Sequence, residues 1–425
     1  MSSVVKIYAL FIGSALLMFG GGLQGLLLSV RGAEEGFSLL ALGLIGTGWS
    51  VGFMAGSLTV PRMVQKVGHV RAYSVMAAVG TVTILLNLLL INDISWILLR
   101  ALSGFCFAGA AMIVESWLNE VSDNRSRGTI FSIYTAINLA ASTIGQLAMS
   151  VTGTAGYVPF VVGAISFICA LVPSAMTSTP QPRPMSSAKI DLGLLYRTSP
   201  VAVIASFAVG MANGAFGTLA PVFGYARGMT PANIAFLFSV TIMLGAIGQI
   251  PFGRLSDRYD RRIVMVGLGG IAALAGSLML VFNPPEGVFL YVLFGLYGFA
   301  AYSIYAIAVA HANDFAKEGE FGRVAGGMLL MLGIGLAIGP AVASWLMSMM
   351  GEVALFAVTT TFHSLLAVFA FLRMRIRPIR DANGRVRFRP MATGSAKSTP
   401  QTIALDPRSD EDKPDQETPD VQGRP

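Results

Sequence analysis

Charge is scarce in this chain of 425 residues. Only 12% of positions are Asp, Glu, Lys or Arg, about half the share usual in a soluble domain. So little charge cannot clothe a water-facing surface of this size, which argues against a soluble globular protein. Histidine and cysteine are also rare, at three and two residues. Cys106 and Cys169 both lie inside apolar stretches and form no CxxC pair, so neither a disulfide framework nor a zinc site is expected. Three scattered histidines supply no metal or nucleophile constellation, which counts against a membrane-embedded enzyme. No cofactor is expected.

What the chain has instead is apolar sequence: 54% hydrophobic residues and 48 glycines, with a mean hydropathy of +0.68. Lipid is the natural solvent for such a composition. Glycine is frequent in membrane helices because small residues let backbones approach closely. A helix needs about 20 apolar residues to cross the hydrocarbon. By that measure there are twelve spans, roughly 5–29, 38–60, 72–92, 96–118, 129–151 and 157–176, then 200–221, 232–252, 263–282, 288–311, 324–347 and 352–372. The run from Val4 to Val30 is too long for a signal-peptide core and reads as the first span. The expected architecture is therefore all-α, with two six-helix halves (1–176 and 200–372), a linker rich in Pro and Ser at 177–199, and a tail at 373–425. The tail is basic at first. From 381 onward it has too few apolar residues to fold alone and is expected to be disordered.

The net charge of +7 does not point to nucleic acid. Eleven of the 29 Lys and Arg residues follow Leu372, and most others sit in short loops between spans. With the N-terminus placed in the cytoplasm, the inside loops before the tail hold fourteen basic residues, and the outside loops hold only Arg31 and Arg227. That asymmetry predicts cytoplasmic termini at both ends. The halves also resemble each other. At an offset of 192 residues, Gly56 falls on Gly248, Pro61-Arg62 on Gly253-Arg254, Lys66 on Arg258, and Gly25 on Gly217. Such internal repeats are a common construction of secondary transporters.

The loop after the eighth span reads Gly253-Arg-Leu-Ser-Asp257-Arg258-Tyr-Asp260-Arg261-Arg262. This resembles the signature of the major facilitator superfamily: a glycine, an Asp-Arg pair four residues on, then a glycine and two basic residues. Asp260 stands where the family has glycine. The first-half copy runs from Pro61 through Gln65, Lys66 and Gly68 to Arg71, with Gln65 in place of the acid. The resemblance implies a cytoplasmic gate at Gly253, Asp257, Arg258, Arg261 and Arg262, with Lys66, Gly68 and Arg71 as its first-half counterpart. Physically, a carboxylate at a helix end can cap a neighbouring helix and pair with Arg. The bland alternative is that basic loops occur in any inner-membrane protein.

Arg100-Ala-Leu-Ser-Gly104 resembles a second signature of the family. Arg100, Gly104, Ala108, Ala111 and Glu115 share one helical stripe, and a buried charge should face water or a partner rather than lipid. Gln24, Asn213, Tyr302, Tyr305 and Asn313 lie on small-residue stripes of the first, seventh and tenth spans. By resemblance, these spans and the fourth line a central cavity. The competing reading is helix packing, and for the glycines alone packing is preferred. His363 reads as a packed residue of an outer helix. Gly335-Leu-Ala-Ile-Gly339-Pro340 is similar to an antiporter signature but sits in the eleventh span rather than the fifth.

The resemblance implies a secondary transporter of a small organic solute at a bacterial inner membrane, working by alternating access with the proton as the usual coupling ion. Glu115 is the coupling candidate, because an acid partly withdrawn from water gains and loses its proton near neutral pH. Its competing reading is an interfacial acid in ordinary water. A sensor or scaffold that transports nothing is the other functional class, and the embedded polar stripes argue for a solute path instead.

Overall fold

The structure, a computed structural model, describes residues 3–121, 127–175, 191–317, 320–376 and 399. All its regular elements are helices: α1 (Ser3–Glu34), α2 (Leu39–Val67), α3 (His69–Leu89), α4 (Asp93–Val121), α5 (Arg127–Thr152), α6 (Val158–Cys169), α7 (Leu171–Ala175), α8 (Leu192–Thr198), α9 (Pro200–Ala226), α10 (Pro231–Arg258), α11 (Arg261–Phe282), α12 (Val288–Asn313), α13 (Phe321–Met350) and α14 (Ala354–Ile376). Among the described residues eleven are long and apolar enough to cross a bilayer, and Val158–Pro173 is a shorter apolar helical segment in the place of the sixth span. The all-α, twelve-span expectation stands. Residues 177–190 of the linker and all of the tail beyond Ile376 except Thr399 lie outside the described residues, as do Arg125, Arg183 and Lys189. The expected disorder of the tail falls there too.

Helix starts follow local chemistry. Ser38 accepts a hydrogen bond from the Ala41 amide at 3.1 Å, Thr230 from Asn233 at 3.2 Å and Ser199 from Ala202 at 3.1 Å. Each side chain satisfies an amide that the helix leaves bare. Pro200 and Pro231 occupy first helical positions, where no amide is needed.

One expectation is corrected. The sixth span is not one helix: it breaks at Ala170, between α6 and α7. Pro173 has no amide to return to the Cys169 carbonyl, so the helical ladder loses a rung there. Conversely, α2 runs straight through Pro61 to Val67, and α10 through Pro251 to Arg258. Packed neighbours make such interruptions tolerable in membrane helices. At the end of the linker α8 forms with Asp191 as its cap, accepting from the Leu194 amide at 2.8 Å.

The repeat is visible in space. In the first half α2 packs on α4, α1 on α5 and α3 on α6; in the second α10 packs on α12, α9 on α13 and α11 on α14. Gly56 and Gly248, matched by the 192-residue offset, do the same work twice. A Cβ on Gly56 would press on the Phe105 carbonyl of α4, and one on Gly248 on the Phe299 carbonyl of α12. The two halves meet through α2 with α13 and α5 with α10, again a symmetric pair.

The seam between α2 and α13 lies toward the face that carries the α1–α2 connection, here called the far face. There the Thr47 hydroxyl donates to the Ala337 carbonyl at 2.7 Å. A Cβ on Gly43 would strike Ser344, and one on Gly46 would strike Thr218 of α9. The opposite face, where the chain enters at α1 and leaves at α14, is called the terminal face.

Candidate functional site

Between the halves lies a cavity of about 150 Å³. Its lining comes from both halves: Trp49 of α2, Arg100 of α4 and Gln146 of α5 on one side, Asn213 of α9 and Tyr302 of α12 on the other. Arg100 is 8% exposed. Its guanidinium donates to Gln24 Oε1 of α1 at 2.9 Å, and that oxygen also accepts from the Ser103 hydroxyl at 3.0 Å. The Trp49 ring lies under the guanidinium, 5.7 Å from its centre. Lining residues carry no carboxylate. Gln24 Nε2, Gln146 Oε1 and Asn213 Oδ1 are buried with no hydrogen-bond partner. A buried polar atom without a partner costs about 1–3 kcal/mol, so two on the cavity lining and a third beside Arg100 call for an explanation.

The sequence-based candidates divide accordingly. Arg100, Asn213 and Tyr302 line the cavity, and Gln24 stands behind Arg100 as its partner. Tyr305, Asn313 and Glu115 are buried away from its lining. Small residues between Arg100 and Glu115 do not face water: a Cβ on Gly104 would collide with the Trp49 carbonyl of α2. That stripe is a helix contact with a polar group at each end. Gly217 is different, with nothing within 4 Å of where its Cβ would be, and it lines the cavity. Trp49 and Gln146 were not singled out as candidates. The i,i+4 pair Ser142 and Gln146 was the available signal, since both line the cavity from one face of α5.

Glu115 is not an acid in open water. It is 1% exposed, and Tyr134 of α5 donates to its Oε1 at 2.8 Å. The hydroxyl of Thr399, the one described residue beyond Ile376, donates to its Oε2. Nearby, the Ser14 hydroxyl of α1 donates to Asn138 Oδ1 at 2.6 Å. His69 Nε2 pairs with the Ser116 hydroxyl at 3.2 Å. His363 is fully buried, with Nδ1 2.8 Å from the Thr359 carbonyl and its ring edge-on to Tyr297.

On the terminal face the Asp-Arg loop is a charge network. Arg261, 1% exposed, donates from Nε to Asp314 Oδ2 at 2.8 Å and from Nη1 to Ser256 at 3.1 Å. Asp257 lies further from it, at 3.4 Å, and is a third exposed. Asp314, just past α12, is buried against Arg261. The helix cap expected of an acid in this loop is made by Asp260, which accepts from the Arg262 amide at 2.9 Å and from the Arg262 guanidinium at 2.7 Å. Arg262 also donates to the Arg373 carbonyl at the end of α14. Burial pushes the Asp260 carboxyl up, but the hydrogen bonds and charge of Arg262 outweigh it and hold that carboxyl below the usual range.

The geometry explains why aspartate can replace glycine. Its counterpart Gly68 joins α2 to α3 at φ +86°, where a side chain is strained, whereas Asp260 sits at φ −57°. Gly253 is buried at this end of α10, while Arg258, Lys66 and Arg71 are exposed on the same face.

Known proteins share this architecture. The profile of the Major Facilitator Superfamily matches residues 10–249 and 202–405. An uncharacterized MFS-type transporter, YcaD of Escherichia fergusonii, is 24% identical over 358 residues, covering 83% of this chain and 91% of its own length. An uncharacterized MFS-type transporter of Yersinia pestis is 25% identical over 343 residues, covering 79% of this chain and 86% of its own. Among solved structures, the crystal structure of the nucleoside transporter NupG superposes with a TM-score of 0.70 at 14% identity, over 89% of this chain and all of that one. The crystal structure of a point mutant of NupG superposes with a TM-score of 0.75 at 15% identity, over 87% of this chain and 99% of that one.

Proposed function

The chain belongs to the major facilitator superfamily and is a multi-pass membrane transporter of that family; from this premise we propose that it moves a small organic solute across a bacterial inner membrane by alternating access, driven by protons. The observation that carries this reading is a cavity walled by both halves, with Arg100, Gln146 and Asn213 among its lining residues. A solute held there touches both rocking bodies at once, so each can respond to it.

The asymmetry of basic loops supports placing the terminal face in the cytoplasm. The α2–α13 seam then closes the outer side, and the loop from Gly253 to Arg262 serves as the cytoplasmic gate with Lys66, Gly68 and Arg71 opposite. Glu115 supports proton coupling. It is a buried acid on a cavity-side helix, held by the neutral hydroxyls of Tyr134 and Thr399. Such an acid can exchange its proton when its surroundings change.

Purified protein in proteoliposomes tests the reading. A solute panel is offered with and without an imposed inward proton gradient. Accumulation above equilibrium that needs the gradient is the expected result. Absence of flux for every solute would leave a sensor or scaffold.

A further inference from the structure

Arg100 has a positive charge in the middle of a cavity and no negative charge among the lining residues to meet it. Of the five N–H donors on a guanidinium, the described residues provide an acceptor for one, Gln24 Oε1. Trp49 lies over one face of the group. On the α1 side Gly25 presents no side chain; even an added Cβ would stay 3.7 Å from an Arg100 nitrogen. Arg100 lies two turns into α4 and is buried, and a buried charge is costly unless it is paired. An arginine kept there without a carboxylate partner is poised for one that arrives from outside.

The rest of the lining is neutral. Buried amide atoms of Gln146 and Asn213 have no partner, and Ser142 and Thr218 add hydroxyls. Trp49, Phe238 and Tyr302 supply ring surface. A cavity of about 150 Å³ is on the scale of one that accepts a benzene-sized guest.

We propose that the solute is a small organic anion, with its carboxylate on Arg100 and a short or single-ring body, carrying hydroxyl or keto groups, against Gln146 and Asn213. This rests on the transporter reading and adds the charge class of the cargo. A guanidinium fork matches a carboxylate bidentately, and the charge-assisted pair is far stronger where water is excluded. The same charge repels cations and gives a neutral solute no comparable anchor.

The full-length protein in detergent and in proteoliposomes tests this with lactate, pyruvate and benzoate, beside their uncharged counterparts lactamide and benzamide, the neutral nucleoside uridine and the cation choline. At least one carboxylate is expected to raise the melting temperature and to exchange across the vesicle membrane, while its amide does neither. Arg100→Gln, eluting as a monodisperse protein, is expected to weaken that binding about tenfold or more, and Arg100→Lys to restore part of it. Comparing acid with amide needs no variant, so a misfolded Arg100→Gln does not stall the test. Amides that bind as well as acids, or carboxylates without effect on either readout, overturn the anion assignment. Uridine or choline moving in those same vesicles would leave the transporter reading intact despite that failure; no flux for any solute would remove both.

Discussion

Arg261 reaches across 53 residues to Asp314 and holds it at 2.8 Å, closer than the Asp257 of its own loop at 3.4 Å. The start of α11 is thereby bolted to the end of α12, and Asp257 is left as the partly exposed member of the group.

The two acids should therefore fail differently. Asp314→Asn strips the nearest countercharge from a buried arginine, which costs about 3–5 kcal/mol. A markedly lower melting temperature in detergent is the expected result. Asp257→Asn should insert and melt like the parent, and lose transport, because an exposed carboxylate at a gate biases one conformer over another. Equal melting of both variants and the parent would remove the distinction; normal uptake by Asp257→Asn would leave that residue with no gating role.

Asp260 gives a pH signature. Its folded carboxyl is held below the ordinary range, so its stabilising contribution is present above the unfolded value of about 3.9 and is lost as pH falls through the folded one. Asp260→Asn should melt lower than the parent at pH 7, by about 3 kcal/mol for a buried pair broken on one side. The gap should close on acidification below about pH 4. A gap that stays constant well below that pH would show that charge is not what Asp260 contributes.

Twelve spans and the Arg and Lys asymmetry were legible because both depend on composition along the chain. The Gly56–Gly248 correspondence was legible for a similar reason: a repeat copies its packing residues. Partner choice was not. Nothing in the residues around Asp314 says that Arg261 will fold over it, and hydropathy cannot tell a capping Asp260 from a solvated one. Pro61 and Pro173 show the limit in another way. Both remove one amide, yet α2 continues and the α6–α7 segment breaks, because the outcome depends on what packs alongside. Gln146 escaped notice for want of knowing which face of α5 turns inward.

For Glu115, the expected behaviour is a split between two kinds of transport. Glu115→Gln should abolish accumulation driven by a pH gradient and spare solute exchange without one. Both are measured in the same vesicles. Unchanged gradient-driven accumulation would make the Glu115–Tyr134 hydrogen bond purely structural.

Orientation can be read with reporters. A fusion at Gly36, in the turn between α1 and α2, should give alkaline phosphatase activity, and one at Ala396 should give none. Activity at both sites, or neither, would refute twelve crossings with cytoplasmic ends.

The far-face seam is built from Gly43, Gly46 and Thr47 against Ser344, Thr218 and Ala337, without an ion pair among the contacts described. Parting it breaks no charge pair; it wets surface that was dry. The work of opening is then mostly the work of letting water in, and it scales with the volume admitted. Impermeant sugars, which raise the cost of hydrating a crevice they cannot enter, should hold the seam shut, whereas added salt should scarcely move it. The balance between the shut and the parted seam would in this way follow the osmotic state of the compartment on the far side.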